Sequence, residues 1–213
     1  MNYSKCKSIL IALEGFIVSI AAHAAGGYYF APLLAERFPQ LFFSNIMMLS
    51  SSAISPLIAI VYLAVRVKFF PKVSINKRVL TYLLSGVIMA WIIAFTSVLL
   101  WGMGTPFELK VPHPYYYLNL LLIVLWIPIL EEILNRGYFF EILRQDWGDK
   151  IALLFSSILF VLLHGIWGRI DMSLIFIFLY SVIFTLVYMK GGLIASIGAH
   201  SFVNLYLAYL TST

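Results

Sequence analysis

The chain of 213 residues is 62% hydrophobic and only 11% charged, against about 45–50% and about 25% in soluble domains. With a mean hydropathy of +0.98, this excludes a soluble enzyme, a disordered protein and a fibre, leaving a polytopic membrane protein. The net charge of +5 would suggest nucleic acid in a soluble chain, but here it follows the positive-inside bias of membrane loops and implies no nucleic-acid partner.

A spanning helix needs roughly 20 apolar residues. Seven stretches meet or nearly meet that length: about 8–26, 42–65, 79–101, 116–140, 150–167, 172–189 and 192–210. Their connectors are short and no internal repeat appears, which predicts one compact all-α bundle of seven spans. Unbroken apolar runs do not fit the alternating segments of a membrane barrel.

The N-terminus has features of a signal peptide: Lys5 and Lys7, an apolar stretch, and Ala22-His23-Ala24. The length of the run and Glu14 inside it favour a retained first span instead. His23 reads as packed structure. Cys6 is the sole cysteine, so no intramolecular disulfide can form. The basic run from Arg66 to Arg78 reads as a topology-setting loop rather than a site for lipid or nucleic acid.

With the N-terminus inside, ten Lys and Arg residues lie on cytoplasmic segments and three (Arg37, Lys110, Arg169) outside, Arg136 being intramembrane. This predicts N-in and C-out. The aromatic clusters Tyr28 to Phe30 and Tyr115 to Tyr117 then fall at external interfaces.

The fourth span carries Glu131, Glu132 and Arg136. An ionised group near the bilayer centre costs ~3 kcal/mol, so three without compensation would cost ~9 kcal/mol. They must be paired, hydrated or neutral. Glu132 and Arg136 are four apart and share a helix face, so they can form an ion pair. Glu131 is turned about 140° from Arg136 at 100° per residue and lacks that partner. A buried carboxyl without a cation is suited to general-base work. Pro128 removes one helical hydrogen bond beside it and predicts a kink.

The fifth span ends in Ser156-Ser157 and Phe160 to His164. The seventh holds His200 and Asn204, four apart on one face. Measured along the helices from the nearest cytoplasmic charges, Glu131, His164 and His200 lie ~20, ~21 and ~15 Å deep at 1.5 Å per residue. Similar depth on three helices points to one shared site. The alternative is that these polar residues are interhelical glue.

Three motifs resemble those of the CPBP family, the CAAX proteases and bacteriocin-processing enzymes also called Abi. Glu131-Glu132-Ile133-Leu134-Asn135-Arg136-Gly137 fits EExxxR(G), Phe160 to His164 fits FxxxH, and His200 to Asn204 fits HxxxN, led by Gly191-Gly192-Leu193. The resemblance covers about residues 114–210, a catalytic core of spans 4–7, while residues 1–110 with spans 1–3 carry no motif of the family.

It implies an intramembrane endopeptidase of the glutamate type acting on a membrane-associated peptide or protein. Glu131 with His164 would activate a water. His200 with Asn204 would polarise the scissile carbonyl and hold the oxyanion, and Glu132 with Arg136 would support them. No cofactor is expected. One alternative is a zinc enzyme using Glu131, His164 and His200, although no H-E-x-x-H is present and Arg136 disfavours a cation. Another is a non-catalytic immunity or scaffold protein. The short loops suggest a prokaryotic inner membrane, with a peptide precursor, bacteriocin leader or sorting signal as substrate.

Overall fold

In the computed structural model of the chain, residues 5–37, 54–73, 77–101, 116–167 and 173–212 are described, and no strand occurs among them. The expected start of the second span at 42–53, and Lys110, Tyr115 and Arg169 in the expected external loops, fall outside the described residues.

Helix α1 (Lys5–Ala25) continues through a π segment, Gly26–Phe30, into α2 (Ala31–Arg37). The first helical run is therefore longer than the expected 8–26. Helix α3 (Ser55–Val67) has proline in its first turn, where an N–H has no helical partner to lose. It ends at Lys68, whose left-handed conformation (φ 56°) lets its N–H cap the Ala64 carbonyl. Helix α4 (Val79–Trp101) follows. Then α5 (Tyr116–Leu121), a π segment at Leu122–Trp126, α6 (Ile127–Glu132) and a second π segment at Ile133–Phe140 lead without interruption into α7 (Glu141–Trp167). Helix α8 runs Ser173–Ser212.

Two glycines divide the long runs. Gly148 has φ 75° and ψ 173°, and Gly192 has φ 81° and ψ −176°, a backbone region that is essentially glycine's alone. The chain doubles back at each. Arg136 and Phe160 would be ~36 Å apart on a straight helix, yet the guanidinium carbon stands 4.9 Å from the ring centroid. Ser196 and Phe184 would be ~18 Å apart, yet the hydroxyl lies 2.9 Å from the Phe184 carbonyl oxygen. The boundaries expected between spans at 140–150 and 189–192 thus fall at single residues rather than loops.

Among the described residues, four helical runs are long and apolar enough to cross a membrane: Cys6–Arg37, Val79–Thr96, Leu122–Gly165 and Ser173–Ala208. The last two contain the glycine breaks. Ser55–Val67 is apolar but shorter. Ile17, Val65, Ile88, Trp91 and Leu125 are exposed on the outside of the bundle, the face an integral membrane protein turns to lipid.

Among the described residues, the interior has two apolar clusters. One joins α1, α3, the second π segment and the part of α7 after Gly148 through Ile11, Leu63, Val67, Leu134, Phe139, Phe140 and Leu159. The other joins α4 and α8 through Ala90, Ala94, Phe184, Val187, Ala199 and Val203. α4 approaches α8 closely enough that a Cβ on Gly86 would stand 2.5 Å from Val187, and one on Gly198 would stand 2.5 Å from Leu83. Glu14, which interrupts the first apolar stretch, is held by Arg66 Nε at 2.9 Å and by the Tyr62 hydroxyl at 3.0 Å. The polar residues of the fourth, fifth and seventh expected spans meet between the two clusters.

Candidate active site

Four helical stretches build the site. Residues 116–147 bring Glu131, Glu132 and Arg136, and 149–167 bring Phe160 and His164. Residues 173–191 bring Ser181 and Phe184, and 193–212 bring Ser196, His200 and Asn204.

The Glu132 carboxylate is 0% exposed, and Arg136 is 1% exposed. Arg136 Nη1 donates to Glu132 Oε1 at 2.9 Å, the ion pair that four-residue spacing predicts. Arg136 Nη2 donates to the Ser181 carbonyl at 2.8 Å and to its hydroxyl oxygen at 2.9 Å. The guanidinium lies between two rings, 4.9 Å from Phe160 and 5.7 Å from Phe184. Glu132 Oε2 accepts from the Ser196 hydroxyl. His200 Nδ1 lies 2.9 Å from Glu132 Oε1, and because a carboxylate only accepts, Nδ1 carries the proton. A buried ion pair needs further hydrogen bonds for its remaining donors and acceptors. Ser181, Ser196 and His200 supply them for the Arg136 Nη2 and the Glu132 oxygens, while Arg136 Nε has no partner among the described residues.

In a neutral imidazole, fixing one nitrogen fixes the other; in an imidazolium both donate. His200 stacks on Phe184, with centroids 4.6 Å apart, and its Nε2 stands 3.8 Å from Glu131 Oε2. His164 Nδ1 is 2.8 Å from the Phe160 carbonyl and donates to it, which leaves His164 Nε2 at 3.9 Å from the same Glu131 oxygen. Both histidines therefore aim Nε2 at one carboxylate, at separations beyond the 2.7–3.2 Å of a direct hydrogen bond. Glu131 is 17% exposed and His164 31%, so this side of the site is accessible while the Glu132 side is sealed.

Asn204 shares the face of His200, but its Nδ2 donates to the main-chain carbonyl of Ile123 at 2.9 Å. The Ser156 hydroxyl bonds back to the Leu153 carbonyl and takes no part in the cluster. Among the described residues, no group of three or more His, Cys, Asp or Glu side chains is disposed to hold a metal ion, Glu131, His164 and His200 included.

The structure thus brings Glu131, His164 and His200 together, with Glu132 and Arg136 behind them. Sequence reasoning missed Ser181 and Ser196. For Ser196 a signal was available, since it lies four residues before His200 and eight before Asn204 on one helix face. Ser181 carries no such pattern.

Residues 113–206 match the family described as type II CAAX prenyl endopeptidase Rce1-like. No curated protein and no solved structure matches the chain. The matched segment begins just before α5 and contains every residue of the cluster.

Proposed function

We propose, from the match of residues 113–206 to the Rce1-like type II CAAX prenyl endopeptidase family, that this membrane protein is an intramembrane endopeptidase of the glutamate type. The observation that carries this reading is the convergence of two imidazole Nε2 atoms on one oxygen of Glu131, at 3.8 and 3.9 Å.

In this reading, Glu131 takes a proton from a water as its oxygen attacks the scissile carbonyl, and His164 orients that water. His200 polarises the carbonyl through Nε2–H. Because its Nδ1 proton is committed to Glu132, an Nε2–H requires a second ring proton, and the charges of that imidazolium and of Arg136 are then balanced by Glu131 and Glu132 together. Asn204 donates to the developing oxyanion through its second amide proton, where a fixed dipole in a dry site is worth ~3 kcal/mol. Collapse of the tetrahedral species breaks the C–N bond, and the proton taken by Glu131 passes to the departing amine. No metal enters the scheme.

The substrate is a peptide or protein held at the membrane. The family's description names a CAAX prenyl endopeptidase, and a bacteriocin leader or sorting signal fits the same chemistry. Residues 114–210 form the catalytic core, with the helices of 1–110 packed on it. Counting the halves separated at Gly148 and Gly192 as separate crossings turns the four long runs into six, and the shorter apolar helix Ser55–Val67 as a further crossing makes seven, with the N-terminus on the cytoplasmic side of a prokaryotic inner membrane. A reporter fused after Thr213 should then read as external, and a cytoplasmic signal would remove one crossing.

The test of the activity is cleavage of a quenched-fluorescent farnesylated CAAX peptide by purified protein in nanodiscs, before and after exhaustive chelation. Cleavage that survives chelation is expected. Loss restored by Zn²⁺ would favour the metal-dependent alternative, and no cleavage of this or any leader peptide would favour a scaffold.

A further inference from the structure

The hydrogen bond between Asn204 and Ile123 follows from a missing donor. The segment Leu122–Trp126 is in π register, where a carbonyl faces the N–H five residues on, and the Ile127 N–H donates to the Leu122 carbonyl. The next carbonyl, that of Ile123, therefore faces position 128. Residue 128 is proline and has no N–H. In an α register Ile127 would have served Ile123, and the carbonyl left open would have been that of Val124. The π register thus selects which carbonyl is orphaned. Ile123 is 4% exposed, so its carbonyl needs a partner from the protein, and Asn204 Nδ2 supplies it at 2.9 Å.

We propose that Pro128 is a positioning residue for Asn204. By withholding an N–H it keeps the Ile123 carbonyl open, and the bond that results fixes the plane of the Asn204 amide. One Nδ2 proton is spent on the carbonyl, and the rigid planar group then sets the direction of the other. This rests on the assignment of Asn204 to the oxyanion made above, and it gives the π segment and the proline before the paired glutamates a common purpose.

The experiment compares Pro128→Ala, Asn204→Ala and the double variant, each purified whole in nanodiscs. The alanine in Pro128→Ala supplies the missing N–H, so Asn204→Ala should lower Tm by several degrees in the parent and by almost nothing in the Pro128→Ala background. With [15N]asparagine labelling, the Asn204 side-chain amide resonance, assigned by its loss in Asn204→Ala, should shift in Pro128→Ala. Neither measurement needs a substrate.

On the farnesylated CAAX peptide, Asn204→Ala should lose on the order of 10²-fold in kcat. Pro128→Ala should lose on the order of tenfold with KM unchanged, and the double variant should be no worse than Asn204→Ala. Additive Tm losses with an unmoved resonance overturn the positioning role, even where Asn204→Ala no longer cleaves. Strong coupling in an Asn204→Ala variant that cleaves normally upholds the carbonyl cap and overturns the oxyanion assignment on which its catalytic purpose rests.

Discussion

Glu132 ends in a closed set of donors, whereas Glu131, one residue earlier, ends against two imidazole nitrogens too distant for a direct bond. On the sealed side, one carboxylate oxygen takes Arg136 and His200 at 2.9 Å each, and the other takes Ser196. On the accessible side, the nearest basic atoms stand at 3.8 and 3.9 Å. The difference separates support from chemistry. A carboxylate that already accepts three hydrogen bonds and is sealed from solvent has no water from which to take a proton, while one with unmet capacity and access to solvent does. His200 belongs to both sides, because the bond that Glu132 makes to Nδ1 decides what Nε2 presents to Glu131.

The largest expected effect is on rate. Glu131→Gln keeps the shape of the side chain but removes its basicity, so cleavage should fall by about 10²–10⁴-fold while Tm stays near that of the parent. Next in size is Glu132→Gln, which strands Arg136 and should cost about 3–5 kcal/mol of stability, a fall in Tm on the order of 10 °C. Melting temperature and cleavage measured on both variants break the comparison if the pattern inverts. An active Glu131→Gln beside a stably folded but inactive Glu132→Gln would mean the base is the other carboxylate.

Ser196→Ala sharpens the comparison with a smaller change. It removes one charge-assisted bond from Glu132 and leaves Arg136 and His200 in place, so the expected cost is about 1.5–3 kcal/mol. Chemical denaturation of the nanodisc-purified variant measures it. A cost approaching that of Glu132→Gln would show that the donors around the carboxylate act as one unit rather than as separable bonds.

Much of this was legible in the sequence, and the rest was not for identifiable reasons. The pairing of Glu132 with Arg136 and the separate direction of Glu131 follow from helix spacing alone, because all three lie within two turns of one element. The apolar runs of α4 and of the halves of α8 follow from hydropathy. Contacts between helices do not. His200 sits 68 residues from Glu132, and its spacing groups it with Asn204 rather than with the carboxylate it bonds. The proline at 128 predicted a missing hydrogen bond, but which carbonyl is left open depends on a π register that no residue type announces. The glycines of Gly191-Gly192 and Trp147-Gly148 are visible in the sequence. That each turns the chain back within one residue is a matter of torsion angles.

Those two turns provide the smallest expected effects, one for each side of the site. Both glycines adopt a conformation that costs an alanine about 1–3 kcal/mol. Gly192 carries the contacts that seal Glu132, since the helix after it holds Ser196 against the Phe184 carbonyl at 2.9 Å and His200 against the carboxylate. Strain in Gly192→Ala is therefore transmitted to those bonds, and the loss should exceed the torsional cost. Gly148 stands in open space, with no heavy atom within 4 Å of where a Cβ would sit, so Gly148→Ala should lose the torsional cost and nothing for sterics. The accessible side also tolerates movement better, because His164 meets Glu131 at 3.9 Å without a bond to break. Gly148→Ala should melt a few degrees below the parent and, assayed well below that temperature, keep cleavage within a few-fold. A Gly148→Ala variant that melts lower than Gly192→Ala would put the more tightly bound half of the site beside Glu131 and reverse the contrast between the two carboxylates.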